Sequence, residues 1–170
     1  PIYLNGYVYP EELDYTGDRP LDDTWLRLDS SVRRTDAPFA LPAGLAGRPS
    51  GSALIYLSLG SLGSADVGLM RRLVEVLSSS PHRFIVSKGP QHAEYELAPN
   101  MWGAEFLPQT SIVPQVDLVI THGGNNTTTE AMHFGKPMIV LPLFWDQYDN
   151  AQRVDERGDR KSTRLNSSHL

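Results

Sequence analysis

The sequence predicts an α/β chain in which a parallel sheet is covered by helices on both faces. From Ser52 onward, apolar runs such as "ALIYLSL", "RFIVS", "VDLVI" and "PMIVL" alternate with stretches of helical periodicity. Strands that are apolar throughout, not on alternate residues, are those buried on both sides, and their alternation with helices is the pattern of crossover connections. The polar turns "GSLGS" and "THGGNNTTTE" each follow such a run and lead into a helix. In a parallel sheet that places both turns outside the carboxyl ends of the strands, where ligands bind.

Each element has its own signal. Residues 1–50 contain one short aromatic, strand-like piece and then repeated prolines, in "DRPLDD" and "DAPFALPAGLAGRPSG", so they read as a linker with turns. Ala53–Leu59 is the first strand of the regular part. Ser64 is positioned to cap a helix running from Ala65 to about Ser79, with Asp66 in its first turn and Met70, Leu73, Val74 and Leu77 on one face. Arg83–Ser87 is the next strand, "GPQHAEYELAPN" a loop, "WGAEF" a third strand and Val116–Ile120 a fourth. A helix is expected from near Asn126 to Gly135, a fifth strand over Pro137–Leu141, and a last helix from about Asp146. "DRKSTRLNSSHL", Asp159–Leu170, has neither periodicity and is taken as a non-native or disordered tail.

Composition narrows the function classes. The chain has 170 residues, 40% hydrophobic and 21% charged, an ordinary globular balance. A net charge of −5 argues against a nucleic-acid partner, so an anionic ligand must be held by local donors. There is no cysteine, which removes disulfides, thiolate metal sites and cysteine nucleophiles. No apolar stretch approaches the ~18 residues of a membrane span, and no signal peptide is visible, although the chain begins at Pro1 and not Met. The expectation is a cytoplasmic protein.

The chemistry concentrates in the turn Thr121–Glu130. A helix N-terminus offers free N–H groups and the positive end of the macrodipole, which together hold phosphate without a metal. Gly123 and Gly124 allow close backbone approach, Asn126 and Thr127 add donors, and His122 can donate to an oxygen. Asn and Thr also cap helices well, so a purely structural cap explains the same residues. Neither turn is a P-loop, and neither has the G-x-G-x-x-G spacing. Glu130, one helical turn after Asn126, can share that face and meet ribose hydroxyls. Asp146 and Gln147, after the fifth strand, offer an acceptor and an amide suited to a pyranose. Phe106 and Gln109, in "FLPQ", offer an aromatic face and an amide for a base.

The ordered segment "FLPQ…VDLVITHGGNNTTTEAMHFGKPMIVLPLFWDQYDNAQRV" resembles the nucleotide-sugar signature of the UDP-glycosyltransferases of GT-B fold, the bacterial macrolide-type enzymes in particular. The resemblance covers Ser52 to about Gly158 and implies a Rossmann-like sheet, the C-terminal domain of a GT-B fold. It implies that Phe106 stacks the base and that Gln109 holds the base's polar edge through its backbone. It further implies that His122, Gly124, Asn126 and Thr127 contact the diphosphate, with Ser61 approaching from the first loop. Glu130 would bind ribose, and Asp146 with Gln147 the donor sugar.

In this family the acceptor site and the general-base histidine belong to an N-terminal domain. By the same resemblance residues 1–50 are the end of that domain and the linker, residues 51–158 the nucleotide-sugar domain, and no catalytic residue is expected here. The implied parent is an inverting, metal-independent hexosyltransferase acting on a hydroxyl of a small-molecule acceptor, its donor a UDP- or TDP-sugar, with no cofactor. The alternatives are a subunit of a split transferase, a sugar-nucleotide-binding module without chemistry, and a GT-B-fold epimerase. An exposed apolar face where the first domain would dock fits a fragment or split subunit; a polar one fits a module.

Among the remaining residues, Trp102 reads as packing, and Trp145 as either packing or a ligand contact. His82, His92 and His133 lack ligand spacing and read as solvated or capping. Glu11–Asp14 reads as an exposed turn, and Arg71–Arg72 as a solvated pair.

Overall fold

The structure is a computed structural model that describes residues 3–29, 31–34 and 37–157. In chain order its elements are β1 (Asn5–Tyr7), β2 (Trp25–Arg27), α1 (Ala43–Ala46), β3 (Leu54–Ser58), α2 (Gly60–Gly63), α3 (Val67–Ser78) and β4 (Arg83–Ser87). They continue with β5 (Met101–Ala104), α4 (Gln109–Ile112), β6 (Leu118–Thr121), α5 (Asn125–His133), β7 (Met138–Val140) and α6 (Gln147–Arg157).

Strands β3 to β7 form a five-stranded parallel sheet in the order β5-β4-β3-β6-β7. The chain steps outward from β3 to β5 and then returns to the other side of β3. A topological switch point therefore lies between β3 and β6, the place where a crevice opens in such sheets. Ser58 pairs with Thr121, so β3 and β6 end level and their following turns stand side by side.

The pleat divides the core. Leu54, Tyr56, Ile85 and Val119 point to one face, where Ile112, Val113 and Ala131 from the α4 and α5 side cover them. Ile55, Leu57, Phe84, Val86 and Ile120 point to the other, against Met70 and the α3 residues Leu73, Val74 and Leu77. Alternate residues of each strand are thus buried in different cores, which is why the strands read as unbroken apolar runs. Trp102 packs on this structure's first core beside Phe39, the packing role expected of it.

Some boundaries differ from the sequence reading. Asp66, not Ser64, caps α3: its carboxylate accepts from the Leu69 N–H at 2.9 Å. The Ser64 hydroxyl instead donates to the Gly60 carbonyl, and "GSLG" closes into the single turn α2. "HAE" inside the expected loop is a 3-10 turn. The first fifty residues hold more order than a linker. β1 and β2 pair in parallel, and between them Glu11–Leu13 is a 3-10 turn with Leu13 fully buried. Asp14 is not part of an exposed turn, because it accepts from the Tyr7 hydroxyl at 2.6 Å and meets Arg27 at 3.3 Å. Arg71 and Arg72 are exposed as expected. The proposed tail, Asp159–Leu170, lies outside the described residues.

Candidate functional site

Three turns meet at the switch point: the one after β3, beginning at Gly60, the one after β6, beginning at His122, and the one after β7, residues 141–146. What locks the first two together is the His122 ring. A Cβ on Gly60 would stand 2.8 Å from His122 Cε1, and one on Gly124 would stand 2.5 Å from His122 Nε2. The imidazole therefore occupies the space that side chains at both glycines would need. Gly60 also has a φ of +66°, which other residues adopt at a cost. The third turn joins through α2, where a Cβ on Gly63 would meet Leu143 Cδ1 at 2.8 Å.

The His122 ring donates to the Ser58 carbonyl and lies 3.5 Å from the Thr121 hydroxyl. Burial pushes its pKa below the ordinary 6.5, against the pull of the Ser58 carbonyl and the nearby Asp146 carboxylate. The ring is accordingly neutral at pH 7 and acts as a hydrogen-bonding wedge, not as a cation.

The α5 N-terminus bears on the capping explanation of Asn126 and Thr127. Its N-cap residue is Gly124, and no side chain caps it. Asn126 and Thr127 already lie inside the helix, so the capping explanation of these residues does not hold. The first-turn N–H groups, orphaned in any helix unless capped, are presented at the crevice. Asn126 is exposed there, as is Ser61 on the facing turn, whereas Thr127 is buried.

Glu130 is only 4% exposed and does not stand free on the helix face. It accepts from Gln109 Nε2 and lies 3.7 Å from Arg33 Nε. Gln109 Nε2 also reaches the Thr127 hydroxyl at 3.2 Å. The Gln109 side chain thus braces α4 against α5 and is not free to meet a ligand. Phe106, two residues before Pro108, is 68% exposed and presents its ring to solvent.

Asp146 is exposed. Gln147 is buried, and its Oε1 accepts from the Leu143 and Phe144 N–H groups at 2.9 and 3.2 Å, so the amide shapes the turn it follows. Trp145, between packing and ligand contact in the sequence reading, is not core: it is 77% exposed, at a φ of +54°.

Residues that the sequence did not single out complete the site. Arg33 comes from the N-terminal stretch, and Asn150 from α6. Asn150 follows Gln147 by three, and Arg153 follows by three more, which forms a buried polar stripe on a helix made mostly of polar residues. That spacing was the available signal for both. Arg153 donates to the Leu13 and Asp14 carbonyls at 2.8 and 2.5 Å and lies over the Tyr15 ring.

The other histidines have local roles. His82 Nδ1 accepts from the Ala53 N–H at 3.0 Å, His92 faces Glu105 at 3.6 Å, and His133 packs edge-on to Phe134. Among the described residues no group of three or more His, Asp or Glu is arranged to hold a metal ion, and no helix is long and apolar enough to cross a membrane.

Comparison with known proteins places this geometry. The chain is 33% identical over 109 residues to the NDP-glycosyltransferase YjiC of Bacillus subtilis (strain 168), a match that covers 62% of this chain and 28% of that protein. The crystal structure of the glycotransferase of kitacinnamycin superposes with a TM-score of 0.74 at 24% identity, over 90% of this chain and 40% of that one. The spinosyn rhamnosyltransferase complexed with thymidine diphosphate superposes at 0.63, with 25% identity, over 86% of this chain and 39% of that one. The chain therefore spans less than half the length of each of these relatives. Residues 37–168 match the model of one family along most of the chain: the chain belongs to the UDP-glucoronosyl and UDP-glucosyl transferases.

Proposed function

We propose that this chain is the donor-binding half of an inverting glycosyltransferase that moves a hexose from a nucleoside diphosphate sugar to a hydroxyl of a small-molecule acceptor. The observation that carries the proposal is the uncapped α5 N-terminus at the switch point, with His122 wedged between the two glycine turns. In the reaction the acceptor oxygen attacks the anomeric carbon as the bond from that carbon to the β-phosphate oxygen breaks. The proton leaves the acceptor to a general base in an N-terminal domain, and the charge gained by the diphosphate is met by α5 N–H groups and neutral His122, without a metal.

The residue roles follow from position. Phe106 stacks the base, and Gln109 holds its edge through the backbone. Ser61, His122, Gly124, Asn126 and Thr127 take the diphosphate. Glu130 takes the ribose, for which Arg33 must swing aside; half of its side chain is already exposed. Asp146 accepts from sugar hydroxyls, and Gln147 contributes what its turn-bracing amide leaves over.

The N-terminal ribbon favours a fragment or split subunit over a stand-alone binding module. Leu4, Val8, Trp25, Leu26 and Leu28 are all exposed on it, an apolar surface that another folded body is expected to cover. The test is calorimetry with UDP and TDP in EDTA, alongside a transfer assay. Binding without metal and no transfer by this chain alone are expected; strict metal dependence would refute the helix-terminus mechanism, and no binding would refute the site.

A further inference from the structure

The second residue of the α6 stripe, Asn150, reaches the turn after β6 from outside the crevice. It is 3% exposed. Its Nδ2 donates to the Gly123 carbonyl at 2.7 Å and to Asn125 Oδ1 at 2.8 Å, while its Oδ1 accepts from the Tyr9 hydroxyl at 2.7 Å. The Gly123 carbonyl can only accept, so the amide nitrogen must face the turn and the amide oxygen must face Tyr9. Tyr9 then has to donate, and it is able to: burial pushes its phenol pKa up to about 12, so the proton is held at neutral pH.

Holding that one carbonyl has a directional effect. The peptide unit is planar and trans, so the Gly123 C=O and the Gly124 N–H point in opposite directions. A carbonyl fixed toward α6 turns the Gly124 N–H away from α6. Only glycine fits this position, since its φ is +86° and a Cβ there would meet Val140 Cγ1 at 2.8 Å and the Gln147 carbonyl at 3.1 Å, so the bond to Asn150 is what holds a backbone that is otherwise permissive. The second bond draws the Asn125 side chain toward α6, away from the N–H groups of its own helix, which it could otherwise cap.

We propose that Asn150, held by Tyr9, is a positioning residue that fixes the Gly123–Gly124 peptide plane and so preorganises the α5 N-terminus for a nucleoside diphosphate. The proposal rests on the reading of this turn as the diphosphate site. It adds that the site's geometry depends on the N-terminal segment, since Tyr9, 141 residues from Asn150 in sequence, is anchored beside the residues that Arg153 grips. A rigid donor array gains affinity because less order has to be imposed on binding.

The experiment compares the wild-type chain with Asn150→Ala and Tyr9→Phe by amide 15N relaxation without ligand, by melting temperature and by UDP affinity. In the wild type the Gly123 and Gly124 order parameters are expected near the ~0.85 of rigid backbone, and in Asn150→Ala below ~0.6, with β3 and β4 unchanged. UDP affinity is expected to fall about tenfold, with a smaller loss for Tyr9→Phe in the same direction. Should Asn150→Ala not fold, Tyr9→Phe, which removes one hydroxyl, carries the test alone. A lower melting temperature with an unchanged, rigid turn and unchanged UDP affinity would make Asn150 merely structural and overturn the proposal. A wild-type chain that binds no UDP, while the turn still loosens in the variants, would overturn the diphosphate reading and leave the positioning of the turn standing.

Discussion

The His122 wedge makes a sharp prediction for Gly124→Ala. The new methyl carbon would lie 2.5 Å from Nε2 and 2.7 Å from Cε1 of His122, where non-bonded carbon and nitrogen ordinarily sit about 3.5–4.0 Å apart. The overlap is about 1 Å, and the ring is held by the Ser58 carbonyl on one side and by Gly60 on the other. Forcing extra atoms into a packed site costs about 1–3 kcal/mol. Backbone strain adds nothing, because Gly124 has a φ of −66°. Alanine is a poorer N-cap than glycine, which adds up to about 1 kcal/mol. At about 2–4 °C per kcal/mol for a chain of this size, the melting temperature is expected to fall by roughly 2–15 °C. Thermal melts of Gly124→Ala, His122→Ala and the double variant separate the two contributions. With the imidazole gone the overlap disappears and only the capping loss survives, so the coupling between the sites is expected to be about 1–3 kcal/mol in the direction of rescue. The reasoning is wrong if Gly124→Ala costs as much without His122 as with it.

Three further outcomes are expected. Asp146→Ala is expected to weaken a UDP-sugar by about ten- to a hundredfold and leave UDP nearly unchanged, whereas His122→Ala weakens both; equal weakening by Asp146→Ala, read by calorimetry, would remove the sugar role. Because burial lowers the folded pKa of His122, the unfolded chain binds more protons just below pH 6.5; the stability this neutral ring contributes is complete above that pH and is lost as pH falls toward the folded value. Urea melts between pH 7.5 and 5 are therefore expected to show a steeper decline for wild type than for His122→Gln, and parallel profiles would refute this. Arg153→Met strands the Leu13 and Asp14 carbonyls and is expected to cost about 2–3 kcal/mol and to speed tryptic cutting after Arg27, with an unchanged rate of cutting there as the contrary result.

The sheet was legible because its signals are local. β4 occupies the expected residues Arg83–Ser87, and β3, β6 and β7 fall within one or two residues of expectation, since consecutive apolar side chains reveal a strand buried on both faces. The α3 start was misread because Ser64 and Asp66 are equally good caps on paper. Only the reach of each side chain in three dimensions assigns one to the Leu69 N–H and the other to the Gly60 carbonyl. At the site, the turns and the start of α5 were readable from glycines and polar residues next to apolar runs. The inward turn of Gln109 and Glu130 was not, because it depends on Thr127 and Arg33 arriving from other segments. The N-terminal ribbon was the least legible part. Strands of three residues carry almost no periodicity, and the bonds that seat the segment come from α6.

The bonds from α6 to the N-terminal segment also bear on the order in which the molecule assembles. Arg153 and Asn150 bridge 140 and 141 residues to Leu13 and Tyr9. Contacts of such separation carry a large loop-closure cost, so they are expected to form late in folding and to break early in unfolding. Breaking them is expected to leave the refolding rate of the sheet alone and to shorten the lifetime of the native state, which stopped-flow traces of Arg153→Met would record as faster unfolding with unchanged refolding. The crevice would then be the final feature of the chain to take shape, finished only when its most distant segments close over α6.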